Sequence, residues 1–246
     1  MIPWEFIESS PVPGSREELM LYRRGEEFSI CIGRDELMNS RQHGSEEALA
    51  RIACRRVAAS PSPRVLIGGL GMGYTLSAAL EHLGPDAEVV VAELSPAVVA
   101  WNRGPLAKLA GSPLADPRVR VFEGDVAGVY RDEEAAFAAI LLDVDNGPEA
   151  MTRKANDWLY GLAGLETAQA ALQLGGILGV WSATPDRAFD LRLRRIGFRV
   201  EELRVPARIG AQKCHTIWIA ERRPAPIESR RRARAPHHRR EPRKRS

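Results

Sequence analysis

The sequence predicts an α/β domain built on a doubly wound, mostly parallel sheet. Three observations lead there. An apolar run enters a loop with glycine at alternate positions, Val65-Leu66-Ile67-Gly68-Gly69-Leu70-Gly71-Met72-Gly73. From Arg64 onward, short apolar runs alternate with segments of helical periodicity, the pattern of βαβ units. Near the end, the extended runs Phe198 to Val205 and Thr216 to Ala220 follow one another across a Pro- and Gly-containing connection. A terminal antiparallel hairpin after a parallel sheet points to a seven-stranded, Rossmann-like sheet of the class I methyltransferase type.

The elements follow in order. Leu19 to Tyr22 and Phe28 to Ile32, separated by Arg24-Gly25-Glu26, read as a β-hairpin. A helix fits Ser45 to Ala59, with Ser45 as its cap and Ala48, Leu49, Ile52, Ala53 and Val57 at helical spacing, and Ser60-Pro61-Ser62-Pro63 ends it. Strands are expected at 64–67, 88–92, 119–122, 138–142 and 176–181. Helices are expected at 74–83, from Pro96, up to about Leu172, and over 186–195. The chain therefore divides into an N-terminal hairpin and helix module (1–62), a nucleoside-binding Rossmann-like domain (63–221) and an Arg/Pro-rich tail (222–246).

With 246 residues, 44% of them hydrophobic, one α/β domain with an extension can bury a sizeable core. No apolar stretch is long enough to cross a bilayer, and Met1-Ile2-Pro3-Trp4-Glu5 lacks the features of a signal peptide, so the expected compartment is the cytoplasm and no membrane partner is expected. Cys31, Cys54 and Cys214 are scattered and odd in number, which indicates neither a disulfide framework nor a zinc site. The net charge of +3 conceals an asymmetry: residues 222–246 hold eleven Lys/Arg against two Glu, so the remaining chain is acidic. Such a tail is expected to be disordered, and serves either as a solubilising end or as an electrostatic contact for RNA, DNA or another acidic surface.

Gly69, Gly71 and Gly73 let the backbone turn sharply and approach a ligand, and the following helix offers unpaired N–H groups. Glu93 closes the next apolar run about twenty residues on, where a carboxylate can accept both hydroxyls of a ribose. The spacing is G-x-G-x-G rather than the dinucleotide pattern, which favours a mononucleoside, read here as S-adenosylmethionine or a close derivative. The competing reading is a tight turn followed by a surface glutamate.

Polar residues just after each strand are the candidates for chemistry. Asp125 is placed either to accept from an adenine amine or to cap a turn. Asp143, Asp145 and Asn146 lie together in Leu142-Asp143-Val144-Asp145-Asn146-Gly147-Pro148, above the expected sulfonium position. Carboxylates there suit a cationic amine, which they attract, orient and deprotonate. The chemistry needs no metal, and His43, His82 and His215 show no ligand spacing.

Over about residues 19–220 the chain resembles the spermidine synthase family of aminopropyltransferases. Val65 to Gly73 is similar to the family's V-L-I-I-G-G-G-D-G loop, Asp116-Pro117-Arg118-Val119 with Gly124-Asp125 to its D-P-R-V…G-D segment, Asp143 to Pro148 to a shortened D-x-x-D-P-x-G-P, and Gly175-Gly176-Ile177-Leu178 to its late G-G-I-L strand. The resemblance implies that Glu93 binds ribose, that Asp143 is the catalytic base with Asp145 beside it, that decarboxylated S-adenosylmethionine is the donor, that an amine is the acceptor in polyamine biosynthesis, and that the protein is a homodimer. Five positions depart from the pattern: Met72 replaces the loop aspartate, Asn146 stands where the second aspartate belongs, Ser45-Glu46 replaces a Tyr-His pair, and Trp181 replaces a glutamine. Trp158 and Tyr160 are read either as lining the acceptor pocket or as core. Three functions stay open: aminopropyl transfer, methyl transfer from S-adenosylmethionine, and a noncatalytic nucleoside- or RNA-associated role.

Overall fold

The structure, a computed structural model, describes residues 2–144, 156–208 and 210–224. Asp145, Asn146 and the tail beyond Pro224 lie outside the described residues.

The first 39 residues form an antiparallel sheet of four strands in sequential order, β1 (Glu5–Pro11), β2 (Glu18–Arg24), β3 (Glu27–Ile32) and β4 (Asp35–Asn39). The expected hairpin is the inner pair of this sheet, β2 and β3, whose Leu21 and Ile30 are fully buried. The outer strands correct the two-stranded expectation. Their apolar alternation is weak, because β1 is largely exposed and β4 buries only Asn39.

The main sheet has seven strands: β5 (Arg64–Gly68), β6 (Glu88–Glu93), β7 (Val119–Glu123), β8 (Phe137–Leu142), β9 (Leu172–Ser182), β10 (Arg199–Pro206) and β11 (Cys214–Glu221). They lie in the order β10-β11-β9-β8-β5-β6-β7, and only β11 runs antiparallel to its neighbours. Central strands covered on both faces need continuous apolar runs, and β8, Phe-Ala-Ala-Ile-Leu-Leu, is buried at every residue. The chain leaves β5 toward β6 on one side and returns to β8 on the other, so the crevice beyond the carboxyl end of β5 is the switch point where ligands bind in such sheets.

One face of the sheet is covered by α1 (Gly44–Val57), α2 (Tyr74–His82) and α3 (Pro96–Arg103), the other by α4 (Val126–Tyr130), α6 (Leu162–Ala171) and α7 (Arg187–Ile196), with the short α5 (Asn156–Tyr160) leading into α6. Helix α1 packs against α2, β8 and β9 of the main sheet. Its start also differs from expectation. The helix begins at Gly44 with His43 as N-cap and no side-chain cap, because the Ser45 hydroxyl is fully buried and bonded elsewhere.

The two sheets are joined by Trp101 of α3, 1% exposed, whose Nε1–H donates to Glu8 Oε2 on β1 at 2.8 Å. Removing that bond alone, by Trp101→Phe, is expected to cost about 1 kcal/mol, and Trp101→Ala about 3–5 kcal/mol through the cavity it leaves. Urea unfolding of both variants checks the order and the gap between them.

Candidate active site

The site is built where the glycine loop meets the end of β8. Asp143 N–H donates to the Gly68 carbonyl at 2.9 Å, and Gly69 N–H to the Ala92 carbonyl of β6 at 2.8 Å. Gly69 has φ +89°, and a Cβ placed there would lie 2.2 Å from the Asp143 carbonyl oxygen. No side chain fits that position, so glycine is a condition of the approach. Gly73 is the N-cap of α2 with φ +86°, and the Asn102 side chain holds the loop by donating to the Gly71 carbonyl at 2.8 Å.

Glu93 closes β6 and faces the loop. Its Oε2 accepts from Leu70 N–H at 2.9 Å and its Oε1 from Ser95 N–H at 2.8 Å. The carboxylate thus folds the loop as well as lining the cleft, and each oxygen has more than one acceptor direction for a ligand hydroxyl. Asp125 takes the capping role that the sequence left open: its Oδ1 accepts from Ala127 N–H at 2.9 Å at the start of α4. It too lines the cleft.

That cleft has a volume of about 150 Å³ and brings together Gly69, Gly71, Glu93, Asp125 and Asp143. Leu37 and Met38 of β4 form its opposite wall, so the N-terminal sheet helps enclose it. A smaller lobe of about 70 Å³ opens from the same place, and Leu37, Met38, Gly71 and Asp143 border both spaces. Asn39, Glu46, Leu70, Met72, Tyr74, Thr75 and Trp181 complete the lobe.

Asp143 stands at the junction. Burial raises its carboxyl above the ordinary range, and the Thr75 hydroxyl, donating to Oδ2 at 2.5 Å, pulls it partly back. Glu46, in the first turn of α1, is raised by burial and by the nearby Asp143 charge. Two half-buried carboxyls in one lobe resist carrying two charges, and a cation between them removes that penalty. Met72, where the resemblance expects an aspartate, is 4% exposed and gives the lobe an apolar wall.

A polar chain backs the lobe. Trp181 Nε1–H donates to Ser45 Oγ at 2.9 Å, and Ser45 Oγ lies 2.8 Å from His215 Nδ1. Burial pulls His215 down to about 4, so the ring is neutral at ordinary pH. These residues are 136 and 170 positions apart from Ser45, and no local motif announces the contact. Thr75 was likewise missed, although its place in the first turn after the glycine loop is a usable signal.

Tyr160, read from the sequence as either acceptor-pocket lining or core, packs in the core. It is 3% exposed, sits edge-on to Phe189 in the core, and its hydroxyl donates to the Val144 carbonyl at 3.4 Å. It supports the strand end instead of lining either space. Trp158 stacks on Tyr130, with Arg131 over its ring. Asp145 and Asn146 lie outside the described residues, and among those residues no cluster of His, Cys, Asp and Glu is arranged to hold a metal ion. No helix among them is long and apolar enough to cross a membrane.

Comparison with known proteins assigns the architecture. A spermidine synthase from Thermotoga maritima superposes with a TM-score of 0.70 at 19% identity, covering 91% of this chain and 75% of that one. The chain has the fold of the spermidine synthases. A spermidine synthase in complex with the transition-state analogue AdoDATO gives 0.69 at 18% identity over 91% and 74% of the two chains, and a probable spermidine synthase from Corynebacterium glutamicum gives 0.62 at 14% over 88% and 79%. In sequence, the chain is 31% identical over 127 residues to polyamine aminopropyltransferase 1 of Streptomyces coelicolor, a match spanning 51% of this chain and 23% of that relative. No protein-family model matches. The spermidine synthase-like resemblance and the seven-stranded fold read from the sequence both stand.

The raised carboxyl of Glu46 has a consequence for stability. The folded state holds its proton more tightly than the unfolded chain, so wild-type stability falls as pH rises from the ordinary carboxylate range through the raised folded value. Asp143, Glu47 and Tyr74 are the titratable groups coupled to it. Glu46→Gln is expected to match or trail the wild type in acid and to melt higher above neutrality. Parallel melting curves across pH would remove Glu46 from the half-buried pair.

Proposed function

We propose that this protein is a transferase that moves the aminopropyl group of decarboxylated S-adenosylmethionine to an amine, as in polyamine biosynthesis. The observation that carries the reading is Asp143, which borders both the cleft lined by Glu93 and Asp125 and the lobe lined by Glu46. Glu93 holds the ribose, Asp125 faces the adenine end, and the glycine loop passes beneath the sulfonium. The donor carbon lies at the junction and the acceptor amine in the lobe.

The amine enters as an ammonium, drawn by the carboxyls. It gives a proton to Asp143, whose burial makes it a stronger base than an exposed aspartate. The nitrogen lone pair then attacks the carbon bound to sulfur. A C–N bond forms as the C–S bond breaks, and its electron pair returns to sulfur, leaving neutral methylthioadenosine. The positive charge passes to the product nitrogen, so alignment and exclusion of water supply most of the catalysis. A metal has no step to perform. The proposal extends to a cytoplasmic homodimer, with Asp145 and Asn146 beside the acceptor and the basic tail free to meet nucleic acid.

Met72 supports a second reading, methyl transfer from S-adenosylmethionine. A methionine carboxylate would be repelled by an acid at position 72, and the apolar side chain there repels nothing. Calorimetry with S-adenosylmethionine, its decarboxylated form and methylthioadenosine separates the two. Tighter binding of the decarboxylated donor supports aminopropyl transfer, tighter binding of the intact one supports methyl transfer, and binding of neither refutes both.

Two variants test the site. Asp143→Asn is expected to keep nucleoside binding and lose turnover, since shape is preserved and the base removed. Unchanged turnover excludes Asp143 as the base. Glu93→Ala is expected to weaken methylthioadenosine binding by roughly 1–3 kcal/mol, measured by the same calorimetry.

A further inference from the structure

Trp181 is level with Asp143 across the sheet, because Leu142 of β8 is in register with Val180 of β9. Its face of β9 is set by Gly179, two residues earlier, where a Cβ would meet Leu49 of α1 at 2.9 Å. The indole therefore projects under the first turn of α1, beside Glu46, and closes the lobe on that side.

The indole is also fixed. An indole N–H can only donate, so Ser45 Oγ must accept from it whichever tautomer His215 adopts. His215 then packs edge-on against the same ring, with centroids 4.8 Å apart and planes at 70°. Ser45 is fully buried and His215 is 5% exposed, so neither yields readily. Trp181 is a wall, unlike a flexible side chain that swings aside for a longer ligand.

We propose that Trp181, pinned by Ser45 and His215, determines acceptor length, and that the acceptor is a short primary amine ending against the indole beside Glu46. This rests on the aminopropyl-transfer reading of the same site. The lobe volume of about 70 Å³ sets the scale. The lobe has less than half the volume of the adjoining cleft, so it is scaled to a short chain. Longer diamines and triamines meet the ring. His215 is a positioning residue acting through Trp181, and Ser45 positions both Trp181, from which it accepts, and Glu46, to which it donates at 3.4 Å.

The test is a series of unbranched terminal diamines, from three to eight carbons, plus a triamine. Transfer from decarboxylated S-adenosylmethionine is measured as kcat/KM, and amine binding by calorimetry in the presence of methylthioadenosine. Wild type is expected to favour the short members. Trp181→Gln, which shortens the wall, is expected to raise the long-to-short kcat/KM ratio by roughly tenfold or more, the size of discrimination a pocket wall supplies. Ser45→Ala is expected to move the ratio the same way by less, and thermal melting confirms that each variant is folded. If wild type shows no transfer but amine binding still depends on length and on Trp181, the donor assignment fails and the wall stands. A length profile unchanged in folded Trp181→Gln, or no amine binding by wild type, overturns the proposal.

Discussion

The close approach of the glycine loop to the end of β8 is the constraint on which the rest of the site depends. Gly68 accepts from the Asp143 amide, and Gly69 lies so near the Asp143 carbonyl that no side chain fits. Because β5 and β8 are adjacent parallel strands at the switch point, this contact decides where Asp143 stands relative to the cleft. The loop is then held from its other side by Glu93, which accepts from Leu70, and by Asn102, which donates to Gly71. The placement of Asp143 and the packing of the loop are the same set of contacts.

The electrostatics of the lobe follow from placing two carboxyls where water is scarce. Asp143 and Glu46 are pushed toward their neutral forms by burial, and Glu46 also by the Asp143 charge. Thr75 opposes this at Asp143 by donating to it. The result is an apolar lobe, walled by Leu37, Met38 and Met72, whose unfavourable charges are relieved by a cation. The N-terminal sheet serves as more than an appendage here, since β4 supplies two of those walls.

Much of the main sheet was legible because its signals are local. A buried parallel strand is a continuous apolar run, and the sequences of β5, β6 and β8 admit little else. The glycine loop and Glu93 are likewise read from spacing, since φ above zero selects glycine wherever it occurs. Edge strands were harder to read. Strand β1 is mostly exposed and β4 polar at its ends, so neither carries the alternation that marks a half-buried strand. Ser45 misled for a related reason: a serine at a helix start resembles a cap, yet its hydroxyl serves Trp181 and His215. Tyr160 looked available for substrate because local sequence does not reveal that Phe189 packs against it.

By itself, the sequence determined the succession of the seven main-sheet strands, the glycine loop, the acidic residues at the strand ends and the asymmetry of charge. Each depends on neighbours along the chain: periodicity, backbone freedom, composition. The tertiary structure alone decided that Glu46 faces Asp143, that Tyr160 belongs to the core and that Trp181 is pinned by Ser45 and His215. Those contacts join residues on different elements, from 29 positions apart for Tyr160 and Phe189 to 170 for Ser45 and His215. The same side chains would fit several arrangements locally, and only the packing of α1 across β8, β9 and β11 selects this one.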